Sequence, residues 1–164
     1  MNENYIISNP DIMRGKPVIA GTRITVELIL EKLKAGESIL QIKSSYPHLT
    51  EDKIRATLLW ELKIILSEVK NELKKLYNDQ LIDIILYGSY ARGDYNENSD
   101  IDLLVVLKSI ETAGKETDKI VDAIYDISLK YNTLISVVPI SYDDYKSINS
   151  PLLLNVRQEG VLVE

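Results

Sequence analysis

The chain has 164 residues, 45% of them hydrophobic and 27% charged, which is enough apolar material for one ordinary packed domain or two small ones and argues against disorder. It holds no cysteine and a single histidine, His48, so a disulfide scaffold, a thiolate metal site, a cysteine nucleophile and a histidine-based triad are all excluded, and a reducing, cytoplasmic setting is expected. The net charge of −6 is unevenly spread: residues 1–60 carry eight Lys/Arg against seven Asp/Glu, and residues 61–164 carry eleven against eighteen, so any nucleic-acid contact would fall to the first third.

The opening MNENYIISNP has neither the basic nor the apolar region of a signal peptide, and runs such as LLVVL at 103–107 are too short to span a bilayer, so no membrane partner is expected. YII at 5–7 and KPVIAGTRI at 16–24, with their β-branched residues and turn punctuation, predict a small β ribbon. Thr25 caps a first helix whose Val26, Ile29, Leu30 and Leu33 share a face and which Gly36 ends. Ser38 and Gln41 form a capping box for a second helix, stopped by Pro47, where His48 reads as a packing residue. Thr50 then caps a third helix, its apolar stripe continuing from Ile54 to Leu76. The forty residues between Pro47 and Gly88 without glycine or proline suit such a long helix followed by a strand, and the domain boundary, at 62/63, falls inside it.

The second half alternates. LIDIILYG at 81–88, DIDLLVVL at 100–107 and LISVVPIS at 134–141 read as buried strands, with an amphipathic helix through Ile120, Val121, Ile124, Ile127 and Tyr131 between the last two. Ser141 with Asp144, and Ser150 followed by Pro151, start two further helices, the last ended by Gly160. The fold class is α+β: a three-helix module with a small β element, then a small domain in which strands and helices alternate.

The chemistry is concentrated in LYGSYARGDYNENSDIDLLVVL, residues 86–107. A strand delivers the chain to Gly88, whose missing Cβ lets backbone N–H groups approach an anion, and to Ser89, whose hydroxyl adds a donor. Asp100 and Asp102 follow at strand spacing and point to one face. Two like charges on an otherwise apolar strand are costly unless a cation lies between them, and hard oxygen ligands suit Mg²⁺ or Mn²⁺. A Gly-Ser turn, an Asp-x-Asp pair or Arg92 taken singly is more often structural; together they read as a site for a nucleoside triphosphate.

G-S-x10-D-x-D, with A-R-G in the spacer and Ser99 before D-I-D, resembles the minimal nucleotidyltransferases of the DNA polymerase β superfamily, closest to the antitoxin-type members encoded beside HEPN toxins. The resemblance covers about residues 65–164 and implies a polymerase-β-like mixed sheet flanked by helices. It implies transfer of a nucleoside monophosphate, AMP, from ATP with Mg²⁺, the acceptor being the partner HEPN-type toxin. It also implies that Gly88 and Ser89, with Arg92 and Ser99, hold the nucleotide and that Asp100 and Asp102 hold the metal and carry catalysis. Active members of that family place a third carboxylate on the next strand, where this chain has Ser136, a poor Mg²⁺ ligand and no base at neutral pH. Residues 7–58, through GKPVIAGTRITV and YPHLTEDKI, resemble an antitoxin-type family catalogued as domain of unknown function 433, which implies a helix-turn-helix-like, commonly dimeric module. Arg14, Lys16 and Arg23 are its candidates for contact with operator DNA. Two readings of another class stand beside the enzyme: a catalytically silent antitoxin acting by binding, and an operator-binding repressor. A homo-dimer or a hetero-oligomer is expected.

Overall fold

The computed structural model describes residues 5–96 and 98–164. They fall into two compact units, Met1–Ile64 and Ile65–Glu164, divided within the third helix.

In the first unit, β1 (Ile6–Ile7) and β2 (Val18–Ile19) pair antiparallel, Ile6 opposite Ile19. Three helices follow: α1 (Val26–Lys34), α2 (Ile39–Ser45) and α3 (Glu51–Tyr77). Their starts lie where the caps predict. The Thr25 hydroxyl accepts from Leu28 N–H at 3.2 Å, and Ser38 with Gln41 forms both bonds of a capping box. Ile19, Ile29, Ile42, Leu49 and Ile54 are fully buried, and the buried hydroxyl of Thr57 donates to the Ile54 carbonyl at 2.7 Å.

The second unit is built on a four-stranded sheet in the order β5-β4-β3-β6, with β3 (Leu81–Tyr87), β4 (Ile101–Leu107), β5 (Ile135–Ser141) and β6 (Val161–Leu162). β4 runs antiparallel to β3 and parallel to β5. The parallel pair needs a crossover, supplied by α5 (Ala113–Tyr131) after the short α4 (Gly88–Arg92). α6 (Tyr142–Ser147) and α7 (Pro151–Glu159) follow, capped by Ser141 and Ser150. Leu153 and Val156 of α7 pack with Ile85, Leu104 and Val106 on one face of the sheet. α5 packs along β5 and has no part in that cluster; Ile120, Ile124 and Ile127 form its buried stripe, whereas Val121, expected on the same stripe, lies a helical step to the side and is exposed.

The two-residue β6 is absent from the periodicity, being too short for alternation to show. It exists because Gly160 turns the chain against β3: a Cβ there would run into the Val156 carbonyl and the Ile85 side chain. Lys70 of α3 closes this edge by donating to the Val163 carbonyl at 2.8 Å. Among the described residues no helix is long and apolar enough to cross a membrane.

Candidate active site

β3 ends at Tyr87, where the extended backbone turns directly into α4 at Gly88. Gly88 has φ +73°, a conformation that side chains oppose. A side chain would also meet a neighbour: a Cβ on Gly88 would displace Asp102 Oδ2 and turn that carboxylate aside. The glycine therefore lets a carboxylate lie against the strand-to-helix turn. Ser89 follows, and its carbonyl accepts from both Gly93 and Asp94 N–H at 2.9 and 3.1 Å, closing α4 after one turn.

Asp102 lies opposite Tyr87 in the β3–β4 register and beside Ser136 in the β4–β5 register. It shares the parity of Leu104 and Val106, so it projects from the face that α7 covers. Asp100, just ahead of β4, is exposed, whereas Asp102 is half-buried. Burial first, and the Asp100 charge second, push the Asp102 carboxyl up from the usual range, and Arg92 pulls the other way. Burial together with the Asp102 charge also raises the Tyr87 hydroxyl. Tyr87 is a neighbour of the site that sequence reasoning missed, since its only signal was the last place in an apolar strand.

Among the described residues neither the Asp100 nor the Asp102 carboxylate has a hydrogen bond or an ion pair. Arg92 stands nearby but is engaged by other acids: its Nε lies 3.3 Å from Asp94 Oδ2 and its Nη1 4.0 Å from Glu159 Oε2. Ser99 has a local task, its hydroxyl accepting from Asn96 N–H at 2.9 Å to hold the turn before Asp100. Tyr90 and Tyr95 stack at 4.8 Å between ring centroids across the same segment. The structure thus brings Gly88, Ser89, Asp100 and Asp102 together, with Arg92 at the rim and Ser99 in the supporting turn. Two carboxylates facing one way without a cation are a donor set that a hard divalent ion fits. Among the described residues no group of three or more acidic or histidine side chains could hold a metal by itself.

Arg14, Lys16 and Arg23 all belong to the first unit and all are exposed. Lys16 is paired with Glu27 at 2.6 Å, and Arg14 sits in a left-handed turn with φ +57°.

This strand-turn-helix with its paired carboxylates is the architecture of a nucleotidyl-transfer fold. Residues 66–152 match the family described as nucleotidyltransferase domain, and the chain belongs to it. Residues 6–60 match the family of proteins of unknown function DUF433. Over 103 residues the chain is 42% identical to "Putative protein adenylyltransferase MJ0141" of Methanocaldococcus jannaschii, covering 63% of this chain and 99% of that protein. MJ0604, named likewise in the same organism, is 38% identical over 96 residues, 58% of this chain and 90% of that one. A solved toxin–antitoxin structure with AMP-PNP superposes with a TM-score of 0.47 at 19% identity, over 60% of this chain and 72% of that one.

Proposed function

We propose that the second unit transfers AMP from ATP to a hydroxyl of a partner protein, a HEPN-type toxin, and that the chain is thereby an antitoxin. The observation that carries the reading is the Asp102 carboxylate lying against side-chain-free Gly88, with Asp100 as its second, unpartnered neighbour. The protein-directed acceptor is supported by the names of the M. jannaschii relatives, and the toxin partner by the sequence resemblance of both halves.

In this mechanism Gly88 and Ser89 bind the β- and γ-phosphates through backbone N–H and hydroxyl donors, and Arg92 at the rim adds positive charge. Asp100 and Asp102 would hold Mg²⁺ or Mn²⁺, which when bound neutralises the triphosphate and polarises the α-phosphate. The acceptor hydroxyl attacks the α-phosphorus, the bond to the bridging oxygen breaks and pyrophosphate leaves. Ser136, beside Asp102, cannot take the hydroxyl proton at neutral pH, so turnover is expected to be slow, and Ser136→Asp to raise it.

The test is intact mass spectrometry of the chain and its neighbouring gene product after incubation with ATP and Mg²⁺. Added AMP on the partner that disappears with Asp100→Asn supports the transfer. An unmodified partner in a stable complex supports the second reading, a silent antitoxin that neutralises by binding, for which Ser136 is the specific observation.

A further inference from the structure

The outer face of α5 carries side chains that its packing does not use. Val121, Tyr125 and Leu129 follow at four-residue spacing and are 42%, 57% and 61% exposed, whereas Ile120, Ile124 and Ile127 bury the opposite stripe. Four-residue steps place three side chains in one ridge along a helix. Leu134, shortly after the helix, is 62% exposed.

A second row runs beside the ridge at the same spacing: Asp118, Asp122 and Asp126, all exposed and, among the described residues, without an ion pair. Two of the helix's lysines are engaged elsewhere, Lys119 with buried Glu116 at 2.8 Å and Lys130 with Glu68 of α3 at 2.7 Å. Lys115 and, one turn on, Lys119 border this face near the N-terminal end, and Lys119 is the one held by Glu116. Like charges at this spacing repel, so the row is better satisfied by cations brought from outside.

We propose that the outer face of α5 is a docking surface for a basic amphipathic helix of a partner protein, one whose apolar ridge is bordered by Lys or Arg. Ridge against ridge removes the exposed apolar side chains from water, and the flanking charges set orientation and speed of encounter. A second copy of this chain is a poor occupant, because α5 against α5 would set one acidic row facing another. The surface stands apart from Asp100 and Asp102, and its test involves no nucleotide.

Two labelled synthetic peptides, about 18 residues long, are titrated onto the full chain: one with a leucine ridge bordered by lysines, one with glutamates in their place. The lysine peptide should bind at least about tenfold more tightly. Combined Val121→Ser, Tyr125→Ser and Leu129→Ser should abolish this binding at unchanged charge. Asp118→Lys with Asp122→Lys and Asp126→Lys should invert the preference. Melting of both variants by circular dichroism should match the parent, since all six positions are exposed. In the unmodified chain, hydrogen exchange across residues 113–131 should slow on binding the lysine peptide, a readout that needs no variant. Equal binding by the serine variant would reduce the effect to diffuse charge attraction and overturn the proposal. So would absence of binding by the lysine peptide, a preference that does not invert, or a dimer in sedimentation that the serine variant dissociates.

Discussion

Asp102 Oδ2 lies where a methyl group on Gly88 would sit, so any side chain at that position has to turn the carboxylate aside. Gly88→Ala meets two costs, a left-handed backbone at φ +73° and displacement of the Asp102 carboxylate, together about 1–3 kcal/mol. It should lower the midpoint of urea unfolding and weaken Mg²⁺-dependent ATP binding by more than about tenfold, both measurable on one preparation by fluorescence and calorimetry. Asp102 itself carries a pH signature. Its raised carboxyl binds a proton more tightly in the folded chain than in the unfolded one, so stability is greatest with the proton on and is lost as pH rises through the raised value. Asp102→Asn removes that penalty. The variant is expected to melt higher than the parent at neutral pH, the difference shrinking as pH falls toward about 4, while ATP binding is lost. A lower melt at neutral pH would instead make Asp102 a structural residue.

At the scale of elements, α5 is clamped to the second half of α3 through two carboxylates. Buried Glu116 accepts from Lys119 at 2.8 Å and from the Tyr77 hydroxyl at 2.7 Å, and Glu68 accepts from Lys130 and from the Tyr131 hydroxyl, each at 2.7 Å. Those bonds, the lysines first, hold both carboxyls below the usual range, and burial with the Glu116 bond drives the Tyr77 hydroxyl far up. A lowered carboxyl contributes stability at neutral pH that is lost as pH falls through its folded value, the reverse of Asp102. Glu116→Gln should therefore lower the neutral melting temperature and flatten the fall of melting temperature between about pH 5 and pH 3. A pH profile parallel to the parent's would exclude this clamp as a source of acid sensitivity.

For the whole molecule the deciding feature is the division of charge between a near-neutral first stretch and an acidic remainder. Of the three candidate DNA contacts, Lys16 is already held by Glu27, which leaves Arg14 and Arg23. If operator DNA binds through them, the logarithm of affinity against the logarithm of salt concentration should have a slope of about −2, and Arg14→Ala with Arg23→Ala should remove it. Fluorescence anisotropy with the upstream duplex at several salt concentrations measures both. A slope several times steeper would contradict the charge distribution.

The linear sequence by itself determined what depends on neighbours along the chain. Thr25, Ser38, Ser141 and Ser150 start their helices because a hydroxyl reaches a backbone N–H within a turn, and buried strands such as β4 announce themselves as apolar runs. The spacing of Asp100 and Asp102 likewise leads to the expectation of a shared face, and Asp100 lies just ahead of β4 with its charge acting on Asp102. Which residues meet across strands is a different matter, because register is set by side chains and turns far apart in sequence. Only the tertiary structure decided that Asp102 lies between Tyr87 and Ser136, that its carboxylate fills the space a Gly88 side chain would need, and that Gly160 brings β6 onto β3. The exposed ridge of α5 belongs there in part: spacing marks Ile120, Ile124 and Ile127 as a stripe, but that Val121 leaves it to face water with Tyr125 and Leu129 is decided by how the helix packs.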